Sequence, residues 1–179
     1  MEDHPFHVAI REALSTFNPA PSRFVWDTAC GGDQLVSLFR EGSKSRPAKY
    51  TCADGILHDD RVRLILEIEE AGAHGFPPHR LLGKLCTAAL CRSFIARDTR
   101  ISVPFASNVR FVQVVSNAGL RPGSRKLSQY ENLENDVRSR LLPLGMIREY
   151  HLLAGLPEDF LSGSKGDLVR RVVKGTRGT

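Results

Sequence analysis

Two apolar segments, 48–58 and 61–70, flank the dipeptide Asp59-Asp60. Segments of this length that are rich in Ile, Leu and Val are typical of β-strands, and a short polar pair between them is typical of a tight turn. Successive side chains of a strand point to opposite faces of a sheet. In the second segment the two faces carry Leu64, Leu66 and Ile68, and Ile65, Glu67 and Glu69. The pattern predicts a β-hairpin whose second strand lies in the centre of a sheet and ends in carboxylates.

Glu67 and Glu69 share one face of the predicted strand, where side chains two residues apart are separated by only about 7 Å. Two like charges in a partly buried place repel each other unless a cation or a proton intervenes. Antiparallel pairing around the turn brings Asp54 near residues 65 and 66, and a modest stagger sets it beside Glu67. Three carboxylates that converge at a sheet edge form an oxygen-rich site suited to Mg²⁺.

The same carboxylates also have a purely structural interpretation. Glu69 and Glu70 can be solvent-exposed charges at the end of a strand, and Asp54 can pair with Arg61 or Arg63 across the hairpin. Opposite charges on neighbouring strands often balance each other in this way. Sequence spacing leaves both interpretations open.

The remaining segments predict helices and strands that surround this hairpin. An apolar stripe at helical spacing predicts a first helix over 5–17, formed by Phe6, Ile10, Leu14 and Phe17. Residues 34–40 fit either a strand or a short helix. Further helices are predicted over 79–94 and 125–142, and further strands over 109–116 and 146–153. A chain of 179 residues fits one domain. The order predicts an α/β architecture with a central mixed sheet flanked by helices.

Basic residues outnumber acidic ones, with 25 Lys and Arg against 20 Asp and Glu, which gives a net charge of +5. This excess favours a polyanionic partner. Residues 41–47 predict a polar loop, and the chain from 162 onward begins with linker composition and becomes basic. We therefore expect a core over 1–162 and a basic C-terminal tail over 163–179, with basic side chains at Lys165, Arg170, Arg171, Lys174 and Arg177.

Several classes of protein are disfavoured by the sequence. No apolar run approaches the roughly 20 residues that a membrane-spanning helix needs. Acidic residues stand at the N-terminus, where a secretory signal has basic ones, so we expect a cytoplasmic protein. Without a Cys-x-x-Cys pair, the four cysteines are expected to be reduced thiols that pack as small apolar side chains: Cys30, Cys52, Cys86 and Cys91.

The hairpin resembles the motif of the PD-(D/E)xK nuclease superfamily, the fold of many restriction endonucleases. The resemblance covers roughly residues 6–116 and rests on Ala53-Asp54-Gly55-Ile56-Leu57, on the turn, and on Leu64-Ile65-Leu66-Glu67-Ile68-Glu69. Alanine stands where proline often precedes the aspartate. Glu69 stands where a lysine is usual, as glutamate does in some restriction enzymes of this fold. The resemblance implies a single-domain restriction-endonuclease-like fold.

The resemblance also implies roles for individual residues. Asp54 and Glu67 would bind Mg²⁺, for which Mn²⁺ can substitute, and Glu69 would hold the attacking water or complete a second metal site. Glu12 on the first helix is an accessory candidate, since such folds often place an acid from that helix near the metal. Lys84, on the helix after the hairpin, is a second accessory candidate that could replace the absent lysine in space. Both also fit ordinary solvated helix positions.

These roles predict a Mg²⁺-dependent DNA endonuclease, most similar to a type II restriction enzyme, with Asp54, Glu67 and Glu69 as catalytic residues. Its partner would be double-stranded DNA and not a membrane. A homodimer is expected because one site cleaves one strand, and two-fold symmetry matches a palindromic target. The alternative is a noncatalytic DNA-binding or protein-interaction module that keeps the nuclease fold.

Overall fold

A mixed β-sheet runs through the centre of the protein, with helices packed on both of its faces. The computed structural model describes residues 4–15, 21–41, 46–97, 100–142, 147–161 and 163–174. This architecture is the α/β class that the sequence predicts.

Five strands form the main part of the sheet, in the order β1-β4-β5-β7-β8: Arg23–Trp26, Gly55–His58, Val62–Glu70, Ser102–Ser116 and Ile147–Gly155. The first three strands pair antiparallel, whereas β5, β7 and β8 run parallel. A parallel connection requires a crossover, and a helix supplies it after β5 and again after β7. The predicted turn at Asp59-Asp60 joins β4 to β5.

A second group of strands extends from the beginning of β7. It contains β2, β3 and β6, which span Val36–Phe39, Lys49–Ala53 and Ser93–Ile95. All of its pairings are antiparallel, and β6 connects it to Ser102, Val103 and Pro104 of β7. Residues 34–40, which fitted either a helix or a strand, therefore contain a strand.

Among the described residues, five α-helices cover the sheet: α1 Pro5–Ser15, α2 Pro78–Ala89, α3 Lys126–Asp136, α4 Pro157–Leu161 and α5 Ser164–Lys174. Helices α1, α4 and α5 bury apolar side chains against Leu64, Leu66 and Ile68 of β5. Helices α2 and α3 pack on the opposite face, which includes Ile65. The alternation predicted for β5 is thus confirmed at these four positions. None of the helices in the described part of the chain is long and apolar enough to span a membrane.

The structure differs from the sequence-based prediction in four places. The strand predicted over 109–116 already begins at Ser102, as β7. Segment 48–58 is divided at Asp54 into β3 and β4, which belong to different parts of the sheet. The helix predicted over 79–94 ends at Ala89 and is followed by β6. Within the predicted tail, residues 164–174 form α5, which buries Val169 and Val173 beside α1 and α4. Residues 16–17, 42–45 and 175–179 of the predicted helix, loop and tail lie outside the described residues.

Candidate functional site

The site is built around a fork between two strands. The backbone N–H of Asp54 donates to the carbonyl of Leu66 over 3.1 Å, and Gly55 pairs with Leu66. Before this point the chain belongs to β3, which pairs with β2 instead of β5. Strand β5 therefore continues through Glu67, Ile68 and Glu69 after β4 has separated from it. At these positions β5 still pairs with β7 on one side, but no strand in the described part of the chain pairs with it on the side that β4 has left.

Beyond the fork, the Asp54 side chain supplies β5 with the hydrogen-bond acceptor that a neighbouring strand would otherwise provide. Its Oδ2 accepts a hydrogen bond of 2.7 Å from the backbone N–H of Ile68, a residue that is almost fully buried. A buried N–H without a partner destabilises a fold, so this contact explains why aspartate is tolerated here. Arg63 pairs with Asp59 and Asp60 instead of Asp54, which contradicts the pairing of Asp54 with that arginine.

Glu67 and Glu69 meet the ammonium group of Lys84. Lys84 Nζ lies 2.8 Å from Oε2 of Glu67 and forms a second ion pair with Oε1 of Glu69. The glutamate side chains are only 2% and 10% exposed, whereas that of Lys84 is 36% exposed. The second oxygen of Glu67, Oε1, is buried and has no hydrogen-bond partner among the described residues. The sequence predicted that these carboxylates share one face and named Lys84 as an accessory candidate, and the structure brings the three side chains into contact.

Burial changes the acidity of this cluster. Desolvation raises the pKa of Glu67 to about 8, although Lys84 acts in the opposite direction, and the charge of Asp54 adds to the increase. The pKa of Glu69 is also raised, again mainly by burial. The two carboxylates raise the pKa of Lys84 against its own desolvation, so its amine stays protonated. The cluster has an excess of negative charge when both glutamates are ionised.

Helix α1 contributes His7 to the site instead of Glu12. His7 Nδ1 lies 3.6 Å from Oδ1 of Asp54, while Glu12 is exposed and makes no described contact with the carboxylates. The difference follows from helix geometry, because His7 borders the buried stripe of Phe6 and Ile10, and Glu12 lies on the far side of it. The same periodicity that predicted α1 could have identified His7.

Cys30 is the second residue that the sequence did not indicate. Its Sγ lies 3.7 Å from His7 Nδ1, and the residue is completely buried. Burial and the charges of Asp54 and Asp27 raise the pKa of its thiol. Cys30 ends a short 3₁₀ turn, Thr28–Cys30, which no sequence motif marked as functional.

Two groups of three side chains in the described residues could hold a metal ion: His7, Cys30 and Asp54, and His4, His7 and Glu70. The predicted trio of Asp54, Glu67 and Glu69 is not one of them. Lys84 contacts the two glutamates, and Asp54 is oriented towards His7. The described structure thus divides the predicted trio between two adjoining centres, and the charge of Asp54 still acts on Glu67.

A cleft of about 720 Å³ begins at Gly31, the residue after Cys30, and its lining includes Arg11, Arg23 and Arg97 but none of Asp54, Glu67, Glu69 and Lys84. These guanidinium groups make no ion pair with a carboxylate in the described ranges; Arg11 and Arg97 donate instead to the backbone carbonyls of Gly31 and Asp33. The stacked rings of Phe24 and Trp26, which lie 4.9 Å apart, also line the cleft. The cleft is therefore suited to an anion with an attached planar group.

Comparison of the chain with protein-family models, curated proteins and solved structures finds no match.

Proposed function

We propose that this chain is a Mg²⁺-dependent DNA endonuclease with a restriction-endonuclease-like fold. The observation that carries the proposal is the convergence of Glu67, Glu69 and Lys84 at the fork where Asp54 leaves β5. Buried carboxylates beside a lysine are the groups that the resemblance implies for phosphodiester hydrolysis. The succession of α1, the antiparallel strands β1, β4 and β5, α2 and the parallel strand β7 supports the fold part of the proposal.

The donor set fits Mg²⁺. Asp54 and Glu67 offer only carboxylate oxygens, the ligands that this hard cation prefers, and Mg²⁺ commonly binds through one or two carboxylates and keeps several waters. Oε1 of Glu67 is buried without a hydrogen-bond partner among the described residues, so a cation would satisfy it. When bound there, Mg²⁺ would polarise the scissile phosphate and acidify a water molecule.

The residues of the chain perform the remaining tasks. Glu69 accepts a hydrogen bond from the attacking water, which orients the water oxygen towards phosphorus, and takes up the water proton as the new P–O bond forms. Lys84, whose Nζ is partly accessible, stabilises the negative charge that grows on the phosphate as the new P–O bond forms and the ester P–O bond breaks. The departing oxygen takes a proton from solvent. Lys84 thus substitutes for the motif lysine from a different element.

A DNA substrate and a homodimer complete the proposal. The arginine-lined cleft next to Cys30 suits a phosphate backbone, and the net charge of +5 acts in the same direction. One site cleaves one strand, so two copies related by two-fold symmetry would cut a duplex.

The noncatalytic module has one observation in its favour. Lys84 contacts both glutamates and so supplies a cation to the acidic pair without any metal. In such a protein the pair would be a structural element, and the arginines of the cleft would bind DNA that is never cut.

Incubation of the purified chain with supercoiled plasmid and Mg²⁺ or Mn²⁺ distinguishes these functions. We expect cleavage by the wild type and a loss of at least about 100-fold in Glu67→Gln and Lys84→Met, a typical effect of removing one group that stabilises transition-state charge. Glu70→Gln is the matched control, because Glu70 is an exposed acid on the same strand. Salt-sensitive DNA binding without cleavage would instead support the noncatalytic module.

A further inference from the structure

His7, Cys30 and Asp54 bring together three different kinds of metal ligand. The imidazole nitrogen, the sulfur and the carboxylate oxygen lie within 4.8 Å of one another. They come from three separate parts of the chain, namely α1, the 3₁₀ turn after β1, and the junction between β3 and β4. The cluster therefore depends on the tertiary fold, which is why sequence spacing gave no sign of it.

The separations fit ligands that surround a single tetrahedral ion. With Zn–N, Zn–O and Zn–S bonds of ordinary length, tetrahedral angles place a nitrogen about 3.4 Å from an oxygen and about 3.6 Å from a sulfur. The observed separations from His7 Nδ1 are 3.6 Å to Asp54 Oδ1 and 3.7 Å to Cys30 Sγ. Both separations from the imidazole nitrogen are therefore within a few tenths of an ångström of the tetrahedral values, and the sulfur and the carboxylate oxygen lie within 4.8 Å of each other.

The arrangement argues against a Cys-His-Asp catalytic relay. In a relay the thiol and the carboxylate contact different nitrogens of the imidazole ring, so that a proton can be gained at one and held at the other. Here Cys30 and Asp54 both approach the same nitrogen, Nδ1 of His7. One nitrogen carries at most one proton and cannot serve both partners by hydrogen bonding. A shared cation would satisfy all three groups.

Surrounding contacts hold the ligands in place. Asp54 is fixed through Oδ2 by the Ile68 N–H, which leaves Oδ1 directed towards His7. The turn that carries Cys30 is capped by Asp27, whose two side-chain oxygens accept hydrogen bonds from the backbone N–H groups of Ala29 and Val36. Gly31, with a φ of 74°, ends the turn in the left-handed region that favours glycine.

We propose that His7, Cys30 and Asp54 bind a divalent transition metal of the Zn²⁺ class, with the fourth position open to water or substrate. Sulfur and imidazole ligands select such ions over Mg²⁺, and three protein ligands with one open position are typical of zinc sites that act on substrates. Binding releases the Cys30 thiol proton to solvent. The proposal does not rest on nuclease activity, although Asp54 also belongs to the proposed Mg²⁺ site.

Titration of the metal-free chain with Co²⁺ tests the site directly. Co²⁺ substitutes for Zn²⁺, and its bond to a thiolate produces an intense near-ultraviolet charge-transfer band. We expect this band to saturate at one equivalent of Co²⁺, to disappear when Zn²⁺ is added, and to be unaffected by Mg²⁺. Cys30→Ser should abolish it. Cys91→Ser is the matched control, since Cys91 is equally buried and belongs to neither group of potential metal ligands.

Two further variants keep the test decisive if Cys30→Ser does not fold. His7→Gln should weaken Co²⁺ binding at least about tenfold, because even residues that merely support a ligand have effects of that size. Glu70→Gln, which alters the competing group with His4, should leave binding unchanged. Absence of the band from the wild type, or full binding by both His7→Gln and Cys30→Ser, would overturn the proposal. Glu67→Gln should stop plasmid cleavage and leave the band intact, which separates this site from the nuclease proposal.

Discussion

Glu67 is a carboxylate in a place that water scarcely reaches, and its acidity should control how the stability of the protein depends on pH. Burial raises its folded-state pKa from the ordinary 4.5 of a glutamate to about 8. A carboxyl group with a raised folded pKa contributes stability that is fully present below its unfolded pKa. That stability is lost as the pH rises through the folded pKa. Lys84 has its own pKa raised, so it stays charged across this range.

We therefore expect the free energy of unfolding to fall between about pH 5 and pH 8 in the wild type. In Glu67→Gln the decrease should be smaller by more than about 1.4 kcal/mol, the equivalent of one pKa unit. Part of the slope should remain, because the pKa of Glu69 is also raised. Urea unfolding at several pH values measures the effect, with Glu70→Gln as the control. If the free energy of unfolding depended on pH in the same way in the wild type and in Glu67→Gln, the folded-state pKa of Glu67 would not be raised.

Lys84 is expected to be necessary for stability as well as for cleavage. Lys84→Met leaves Glu67 and Glu69 buried without their cation, and breaking a buried ion pair in this way costs about 3–5 kcal/mol. Because the Lys84 side chain is 36% exposed, we expect about 2–3 kcal/mol. Lys49→Met, on an exposed residue, should have little effect in the same denaturant titration. If Lys84→Met and Lys49→Met lowered the free energy of unfolding equally, Lys84 would not be the residue that stabilises the buried glutamates.

The sequence indicated Glu67, Glu69 and Lys84, which form the acidic centre, and Asp54, but not His7 and Cys30, which lie beside Asp54. Strand alternation was enough to place Glu67 and Glu69 on one face, and hairpin pairing was enough to bring Asp54 near them. Lys84 was only one of two accessory candidates, because helical spacing does not show how far a side chain reaches across to a strand. Cys30 could not be predicted, since its approach to His7 depends on how α1 packs against the turn after β1.

At the scale of elements, the break between β3 and β4 had no clear signal in the sequence. Residues 48–58 read as one strand because β-propensity does not show which neighbour a strand pairs with. The division occurs at Asp54, where a side-chain oxygen takes the place of a backbone acceptor for the Ile68 N–H. Because of this substitution of acceptors, residues before Asp54 can pair with β2 and residues after it can pair with β5. The separation opens the space in which the acidic centre lies.

The hydrogen bond from the Ile68 N–H to the Asp54 carboxylate predicts that Asp54→Ala and Asp54→Asn differ in stability. Asp54→Ala removes the acceptor and leaves a buried N–H unsatisfied, which should lower the free energy of unfolding by about 1–3 kcal/mol. Asp54→Asn retains a side-chain oxygen that can accept this bond, so its stability should remain close to that of the wild type. Thermal melting of both variants tests this, and equal losses would contradict the structural role of Asp54. Both variants should lose cleavage.

Helix α5 alters the role expected for the C-terminal basic residues. Val169 and Val173 are buried, so removal of the helix would damage the core along with any DNA contact. Arg171 lies on the exposed face and provides a cleaner test. Arg171→Gln should weaken DNA binding and reduce the salt slope by about 0.9, the effect of one lost phosphate contact. Arg171→Lys should preserve the slope. An unchanged slope in Arg171→Gln would exclude this face from the DNA interface.

At the scale of the whole molecule, the layered α/β architecture followed from the order of apolar patterns, because a central sheet buries both faces and each covering helix buries one. The antiparallel group of β2, β3 and β6 did not follow from it. The pairing of β2 with β6 joins residues far apart in the chain, Leu38 with Phe94, and β6 has only three residues. Short strands whose partners are distant carry too little local pattern to be recognised.

The melting temperature with and without Mg²⁺ tests the proposed Mg²⁺ site most directly. An ion that binds only the folded state stabilises that state by about 2.7 kcal/mol when its concentration is 100 times the dissociation constant. We expect Mg²⁺ to raise the melting temperature of the wild type and of Glu70→Gln, and to leave that of Glu67→Gln unchanged. A rise of equal size in Glu67→Gln would contradict the assignment of Glu67 as a ligand, and with it the proposed endonuclease.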